Sequence, residues 1–157
     1  MAKAPRNKKE PLIGVLGWRE WVSLPELGLH KIKAKVDTGA RTSTLHAFSL
    51  QPFTENGQEK IRFDIHPLQH NTQTVATCEA EVVDIRWVTD SGGHSEERYV
   101  IKTPLVIDGH TWPIEITLTE RDTMLFRMLL ARNAIRGRFS VDPARSFVMS
   151  KKLKASL

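Results

Sequence analysis

The sequence predicts an all-β fold: a closed β-barrel with one short C-terminal helix. Three observations carry this. From Ile13 onward the chain falls into short runs in which apolar and polar residues alternate, the period of strands. Asn56-Gly57, Ser91-Gly92-Gly93 and Asp108-Gly109 punctuate those runs with turn residues that tolerate positive φ. Only one late segment, residues 123–136, has helical spacing, and many short strands with a single late helix suit a barrel.

Taken in order, residues 1–10 (MAKAPRNKKE) are polar and basic and read as a loose tail. Residues 151–157 read the same way, which leaves 11–150 as the folded domain. The apolar run 12–18 follows a basic start, but it is brief, ends in Arg19-Glu20 and lacks a small-residue cleavage site, so it is not the pattern of a signal peptide. Ile32, Ala34 and Val36 alternate with Lys31, Lys33 and Lys35, so a half-buried strand ends at Asp37. Further strands are expected at 44–50, 60–66, 75–88, 98–107 and 114–118. Met124, Met128, Leu129, Ala131 and Ile135 carry the helical spacing, and Gly137 stands where a helix C′ residue belongs.

At 157 residues the chain is long enough for one domain with its own core. Lys and Arg total 23 against 18 Asp and Glu, a net charge of +5 that favours acidic partners without choosing among them. Cys78 is the single cysteine, which excludes an internal disulfide and a thiolate-rich metal site. No apolar stretch approaches transmembrane length, so the expected location is the cytoplasm and no membrane partner is implied. Trp18, Trp21, Trp87 and Trp112 read most simply as core or dimer-interface residues.

The segment that carries chemistry is Val36-Asp37-Thr38-Gly39-Ala40. A hydrophobic strand holds the carboxylate at a turn, the Thr hydroxyl can bond neighbouring backbone, and Gly permits an approach that a side chain would block. Two such loops meeting face to face bring together carboxylates that cannot both ionise and therefore share a proton. One can then take a proton from water while the other donates to a carbonyl oxygen. The bland reading is a surface turn, since Asp, Thr and Gly are ordinary turn residues.

The second half of the chain favours the chemical reading. Leu105-Val106-Ile107 leads to Asp108-Gly109-His110, then Ile114-Glu115-Ile116-Thr117-Leu118, and then Met128-Leu129-Leu130-Ala131-Arg132-Asn133. This order resembles the back half of a retropepsin. Asp37-Thr38-Gly39-Ala40-Arg41-Thr42-Ser43-Thr44-Leu45-His46-Ala47, with Leu118, Arg121, Met124 and Val141-Asp142-Pro143, narrows the resemblance. It is similar to the bacterial RimB-like family labelled "ATP-dependent zinc protease", some of whose members accompany ATP-grasp glutamate ligases. The resemblance runs from about Ile13 to Ser146.

That resemblance implies a retropepsin-like barrel carrying one half-site per chain, and a homodimeric aspartic endopeptidase without cofactor. Asp37 would be the catalytic carboxylate, set on its loop by Thr38 and Gly39. Ala40 and Arg41 would lie beside the substrate, and Leu129, Leu130 and Arg132 would brace the site. Arg132 has the alternative of an ordinary exposed helix arginine. The substrate would be a peptide or a glutamate-rich protein tail, with a functional link to a glutamate ligase. Two positions depart from the pattern. Ala131 stands where Gly is usual, which would be strained if φ there is positive, and Arg127 stands where Pro is frequent.

Asp90-Ser91-Gly92 also has the Asp-Ser-Gly form, but the interval from Asp37 is too short for two complete half-barrels. A hairpin tip fits better, and it falls where retropepsins carry the flap over the substrate, with Gly92, Gly93 and His94 at the tip and Arg98 behind it. The Asn56-Gly57 hairpin is the competing flap. No His-Glu-x-x-His is present, Pro67 spoils any helix joining His66 and His70, and His46 reads as a strand histidine, so no metal ligand is assigned. No Gly-rich phosphate loop is present either. The rival from another class is a non-catalytic basic barrel that binds RNA or an acidic protein, which leaves the Asp37 segment unexplained and makes nucleic acid an unfavoured partner; a third reading is an inactive peptidase homologue kept as an interaction module, which Ala131 would suit.

Overall fold

In the computed structural model, which describes residues 11–121 and 125–150, the strand that ends at Asp37 sits inside a sheet and not at its edge. The elements run β1 (Gly14–Leu16), β2 (Arg19–Leu24), a 3₁₀ turn (Pro25–Leu27), β3 (Leu29–Asp37), β4 (Ser43–His46), β5 (Phe48–Glu55) and β6 (Gln58–Ile65). They continue with β7 (Ala76–Thr89), β8 (Ser95–Ile107), β9 (His110–Thr119), β10 (Met128–Ala131), the helix α1 (Arg132–Ile135) and β11 (Phe139–Val141). The fold is all-β with one short helix. The tails expected at 1–10 and 151–157 lie outside the described residues.

The main sheet has the order β2-β3-β10-β4-β9-β8-β7-β6-β5, and Ser23 of β2 also pairs with Val106 of β8. That bridge joins β2, β3, β10, β4, β9 and β8 into a ring, from which β7, β6 and β5 extend. Its inside is filled by the inward half of the period-two pattern: Ile32 and Ala34 of β3, Leu45 of β4, Ile101 and Leu105 of β8, and Ile116 of β9 are all fully buried. The hairpin turns are as the turn residues dictate. Asn56 (φ 52) and Gly57 (φ 77) join β5 to β6, and Asp108 (φ 47) and Gly109 (φ 79) join β8 to β9; both central residues have positive φ, as a type I′ turn requires.

Three expectations need correction. The helix expected over 123–136 is only Arg132–Ile135, with Gly137 just beyond it at φ 75. Residues 128–131 form a strand instead; its register sets Leu130 against Val36 of β3 in parallel, and Leu129 against Thr44 of β4 in antiparallel. A slot between two strands satisfies its backbone on both sides, which outweighs a local helical spacing. Met124 lies outside the described residues. The strand expected at 44–50 is divided after His46, and Ser49 takes φ 54 within an irregularly paired stretch of β5. Trp87 is 73% exposed, so of its two expected places, core or dimer interface, the core is excluded, whereas Trp112 is buried and its indole N–H donates to the Ala134 carbonyl at 2.9 Å.

The last described segment folds back over β1 and β2. β1 and β11 pair in parallel, and Trp18 N–H donates to the Arg145 carbonyl at 2.8 Å. A Cβ on Gly17 would stand 2.4 Å from that carbonyl oxygen, so only glycine lets the two backbones meet. Glu20, fully buried, receives the Gly17 N–H at 2.6 Å and the Ser150 N–H at 3.0 Å, tying both ends of the domain to one carboxylate.

Candidate active site

The parity of β3 decides where Asp37 goes. Ile32, Ala34 and Val36 fill the interior, so the odd positions, Lys31, Lys33, Lys35 and Asp37, fall on the opposite face. Immediately after the strand the chain turns, and Asp37 Oδ1 accepts the N–H groups of Gly39 at 3.0 Å and Ala40 at 3.2 Å. A Cβ on Gly39 would sit 3.3 Å from that same Oδ1, a tight contact that would press on the carboxylate.

The loop is anchored by the segment that follows β10. Arg132 N–H donates to the Ala40 carbonyl and Asn133 N–H to the Arg41 carbonyl, both at 3.0 Å. Arg132 Nη1 reaches the Thr38 carbonyl at 2.9 Å. Beneath them, Ala131 pairs with Asp37 in the β3–β10 ladder and gives its N–H to Ser43 Oγ at 3.0 Å. Ala131 has φ −105 and ψ 178, ordinary extended geometry, so alanine carries no strain there.

A cleft of about 890 Å³ opens on this loop. Asp37, Gly39, Ala40 and Arg41 form one wall, Leu129, Arg132 and Asn133 the next, and residues 86–91 of the β7–β8 hairpin hang over them. The Asn56-Gly57 hairpin takes no part in the lining. At the tip, Asp90 Oδ1 accepts the N–H groups of Gly92 and His94, both at 2.9 Å. Gly92, Gly93 and His94 do not themselves line the cleft. The tip is held down by Arg121, which pairs with Asp90 and contacts His94 Nδ1 at 3.2 Å.

The cleft's arginines differ in what they have left to offer. Arg98 is 6% exposed; its Nε donates to Glu96 Oε1 at 2.7 Å, an oxygen that also accepts from Thr119 Oγ1 at 2.5 Å. Arg86 bridges Asp84 and Glu115, which holds the Asp84 carboxyl below its ordinary value and raises the guanidinium. Arg121 is engaged by Asp90 and Arg132 by the Thr38 carbonyl. Among the described residues Arg41 has no such partner, and its side chain is exposed in the cleft. Sequence reasoning did not assign Glu96 or Thr119 to the site and quoted Arg121 only as part of the family resemblance. Glu96 and Thr119 share the sheet face of Val100 and Thr117, opposite the core-facing Ile101 and Ile116, so in the sequence they have the pattern of ordinary outward polar residues.

The remaining titratable groups do not gather at this loop. His46 is buried within β4, and His66 stacks on Phe48 with centroids 4.5 Å apart. Among the described residues no three His, Cys, Asp or Glu side chains converge as metal ligands, so the side chains do not fit a zinc centre. Burial, with Asp64's charge adding, pushes the Cys78 thiol up to about 11, which leaves it unreactive.

Comparison with known proteins places this architecture. The family model described as RimB-like, retropepsin-like aspartic endopeptidase RimB, matches residues 15–152. A probable alpha-L-glutamate ligase of Desulfotalea psychrophila is 46% identical over 143 residues, covering 91% of this chain and 31% of that protein. Another, of Parasynechococcus marenigrum, is 50% identical over 129 residues, covering 82% of this chain and 28% of that protein. The chain thus spans about a third of the length of the curated relatives it matches. A Legionella pneumophila protein of unknown function, solved by crystallography, superposes with a TM-score of 0.73 at 26% identity, covering 87% of this chain and 98% of that one. Among the described residues no helix is long and apolar enough to cross a membrane.

Proposed function

Because the chain belongs to the RimB-like, retropepsin-like family, we propose that it is an aspartic peptidase that works as a homodimer, each subunit contributing one Asp37 to a shared dyad. The observation that carries this reading is Asp37 at the end of β3, on a loop held from three sides, opening onto a cleft beneath the β7–β8 hairpin. In the dimer the two carboxylates face each other and share one proton. The ionised one draws a proton from the attacking water while the protonated one donates to the scissile carbonyl oxygen; collapse of the tetrahedral intermediate then expels the amine. Thr38 and Gly39 fix the loop, and Leu129, Leu130 and Arg132 brace it. The β7–β8 hairpin, with Gly92, Gly93 and His94 at its tip, is the flap.

The substrate we propose is a glutamate-rich polypeptide. Arg41 supports it, as an unpaired guanidinium on the same loop as Asp37, able to bind a carboxylate at two points. The relatives named as probable alpha-L-glutamate ligases support it as well, since their names make glutamate the residue handled beside this domain. The test is hydrolysis of glutamate-rich peptides by the wild type and by Asp37→Asn. Asparagine cannot alternate between proton donor and acceptor, so cleavage should vanish while the dimer still sediments as such. Cleavage that survives Asp37→Asn, or that is lost on chelation and restored by zinc, would overturn the reading.

A further inference from the structure

The outer face of β2 and β3 gathers cations that the cleft does not use. Arg19 lies across from Lys35, and Trp21 across from Lys33, so these side chains share one side of the sheet with Lys31. Aromatic rings hold the charges in place. Lys31 Nζ and Lys33 Nζ sit 4.8 and 5.2 Å from the Trp21 ring centre, and Arg19 lies 4.7 Å over Trp18 and 4.9 Å over Phe147. Lys33 also donates to Gln69 Oε1 at 2.9 Å. Among the described residues no carboxylate pairs with Arg19, Lys31 or Lys35. The charge that Arg19, Lys31 and Lys35 leave open among the described residues is complementary to a polyanion.

The spacing narrows the partner. Alternate residues of a strand are about 6.6–6.8 Å apart, so Lys31, Lys33 and Lys35 form a ladder of about 13 Å. An extended acidic peptide presents its alternate carboxylates at that same repeat. The ladder runs along β3 straight to Asp37, which falls on the same face. A second copy of the chain is a poor occupant, because a two-fold contact here would set cations against cations. Single-stranded nucleic acid fits less well, since Phe147 stacks on Trp21 and the lysines crowd its ring, leaving little aromatic platform for bases.

We propose that this β2–β3 face is a docking surface for an extended acidic polypeptide, holding the part of the substrate chain that lies outside the cleft. The surface itself stands on the placement of the cations; only its service to Asp37 rests on the peptidase reading. Binding of a labelled glutamate peptide of about fifteen residues, long enough to reach from cleft to ladder, is measured on Asp37→Asn protein and on the same protein carrying Lys31→Gln and Lys35→Gln. Each exposed ion pair contributes about a two-fold effect, so Kd should rise about four-fold, and the difference should shrink at high salt.

With Asp37 intact, the Lys31→Gln, Lys35→Gln variant should cleave a short glutamate peptide at the wild-type rate, which also shows that it folds, while KM for the long peptide rises. An unchanged Kd would overturn the docking surface even if cleavage is robust. A uridine oligonucleotide that displaces the peptide and binds at least as tightly would overturn it in favour of a nucleic-acid surface. If nothing is cleaved and the Kd shift is still seen, the peptidase reading falls and the docking surface stands.

Discussion

Replacing Arg132 by Met should cost activity with little loss of stability. Three bonds hold the Asp37 loop to the segment after β10: the backbone bonds to the Ala40 and Arg41 carbonyls, which the substitution leaves alone, and the Arg132 guanidinium to the Thr38 carbonyl at 2.9 Å, which it removes. A hydrogen bond to a charged group contributes about 1.5–3 kcal/mol, but this one is solvent-accessible, so about 1–1.5 kcal/mol is the better figure. At 1.4 kcal/mol per decade, kcat/KM should fall about 5- to 12-fold if the brace acts fully in the transition state. Methionine keeps most of the aliphatic contact, and Arg132 is only half-buried, so Tm should drop by no more than about 3–6 °C. The assay is kcat/KM on a glutamate-rich peptide beside a thermal melt, with Arg132→Lys expected to fall between the two. Wild-type kcat/KM in Arg132→Met would refute the argument. So would a loss of activity that merely tracks a large fall in Tm.

Other expectations follow from single contacts. Glu20→Gln should destabilise the domain by about 2–4 kcal/mol in urea unfolding, because a carboxamide nitrogen would confront N–H groups at 2.6 and 2.9 Å from Gly17 and Val148; a loss under about 1 kcal/mol would show that the carboxylate is not the clasp. Arg41→Gln should reduce the wild-type preference for glutamate over glutamine peptides by about five- to ten-fold, and a preference that persists unchanged would put selectivity elsewhere in the cleft. Cys78 is raised from 9.0 to about 11 on folding, so the folded state holds its proton more tightly than the unfolded chain. Its contribution is therefore fully present below pH 9 and declines as pH rises from 9 to about 11; the urea midpoint should fall further between pH 8 and pH 10 in the wild type than in Cys78→Ala, and equal falls in the two proteins would contradict the assignment.

Much of this molecule was legible in local chemistry. The period-two alternation of Ile32, Ala34 and Val36 is a property of the strand itself, and it alone sends Asp37 to the face opposite the core. Asn56-Gly57 and Asp108-Gly109 dictate their hairpins because few other residues accept positive φ at both central positions. The Asp37 segment likewise announced its loop, since its hydrogen bonds close within three residues. What only the tertiary structure decided depends on partners distant in the chain. Residues 128–131 satisfy helical spacing and strand spacing equally well over so short a run, and the open slot between β3 and β4 chose the strand. Ala131 is unstrained because its φ is set by that strand, which no local rule foretold. The pairing of Arg98 with Glu96 is local in sequence, yet Arg98 is buried at the cleft because hydroxyls from β4 and β9, Thr44 and Thr117, converge on it. Side-chain charge is written in the sequence, but whether a charge is engaged or free is a matter of which distant strands the fold brings beside it; that is why, among the described residues, Arg41 is left open in the cleft while Arg86, Arg98 and Arg121 are engaged.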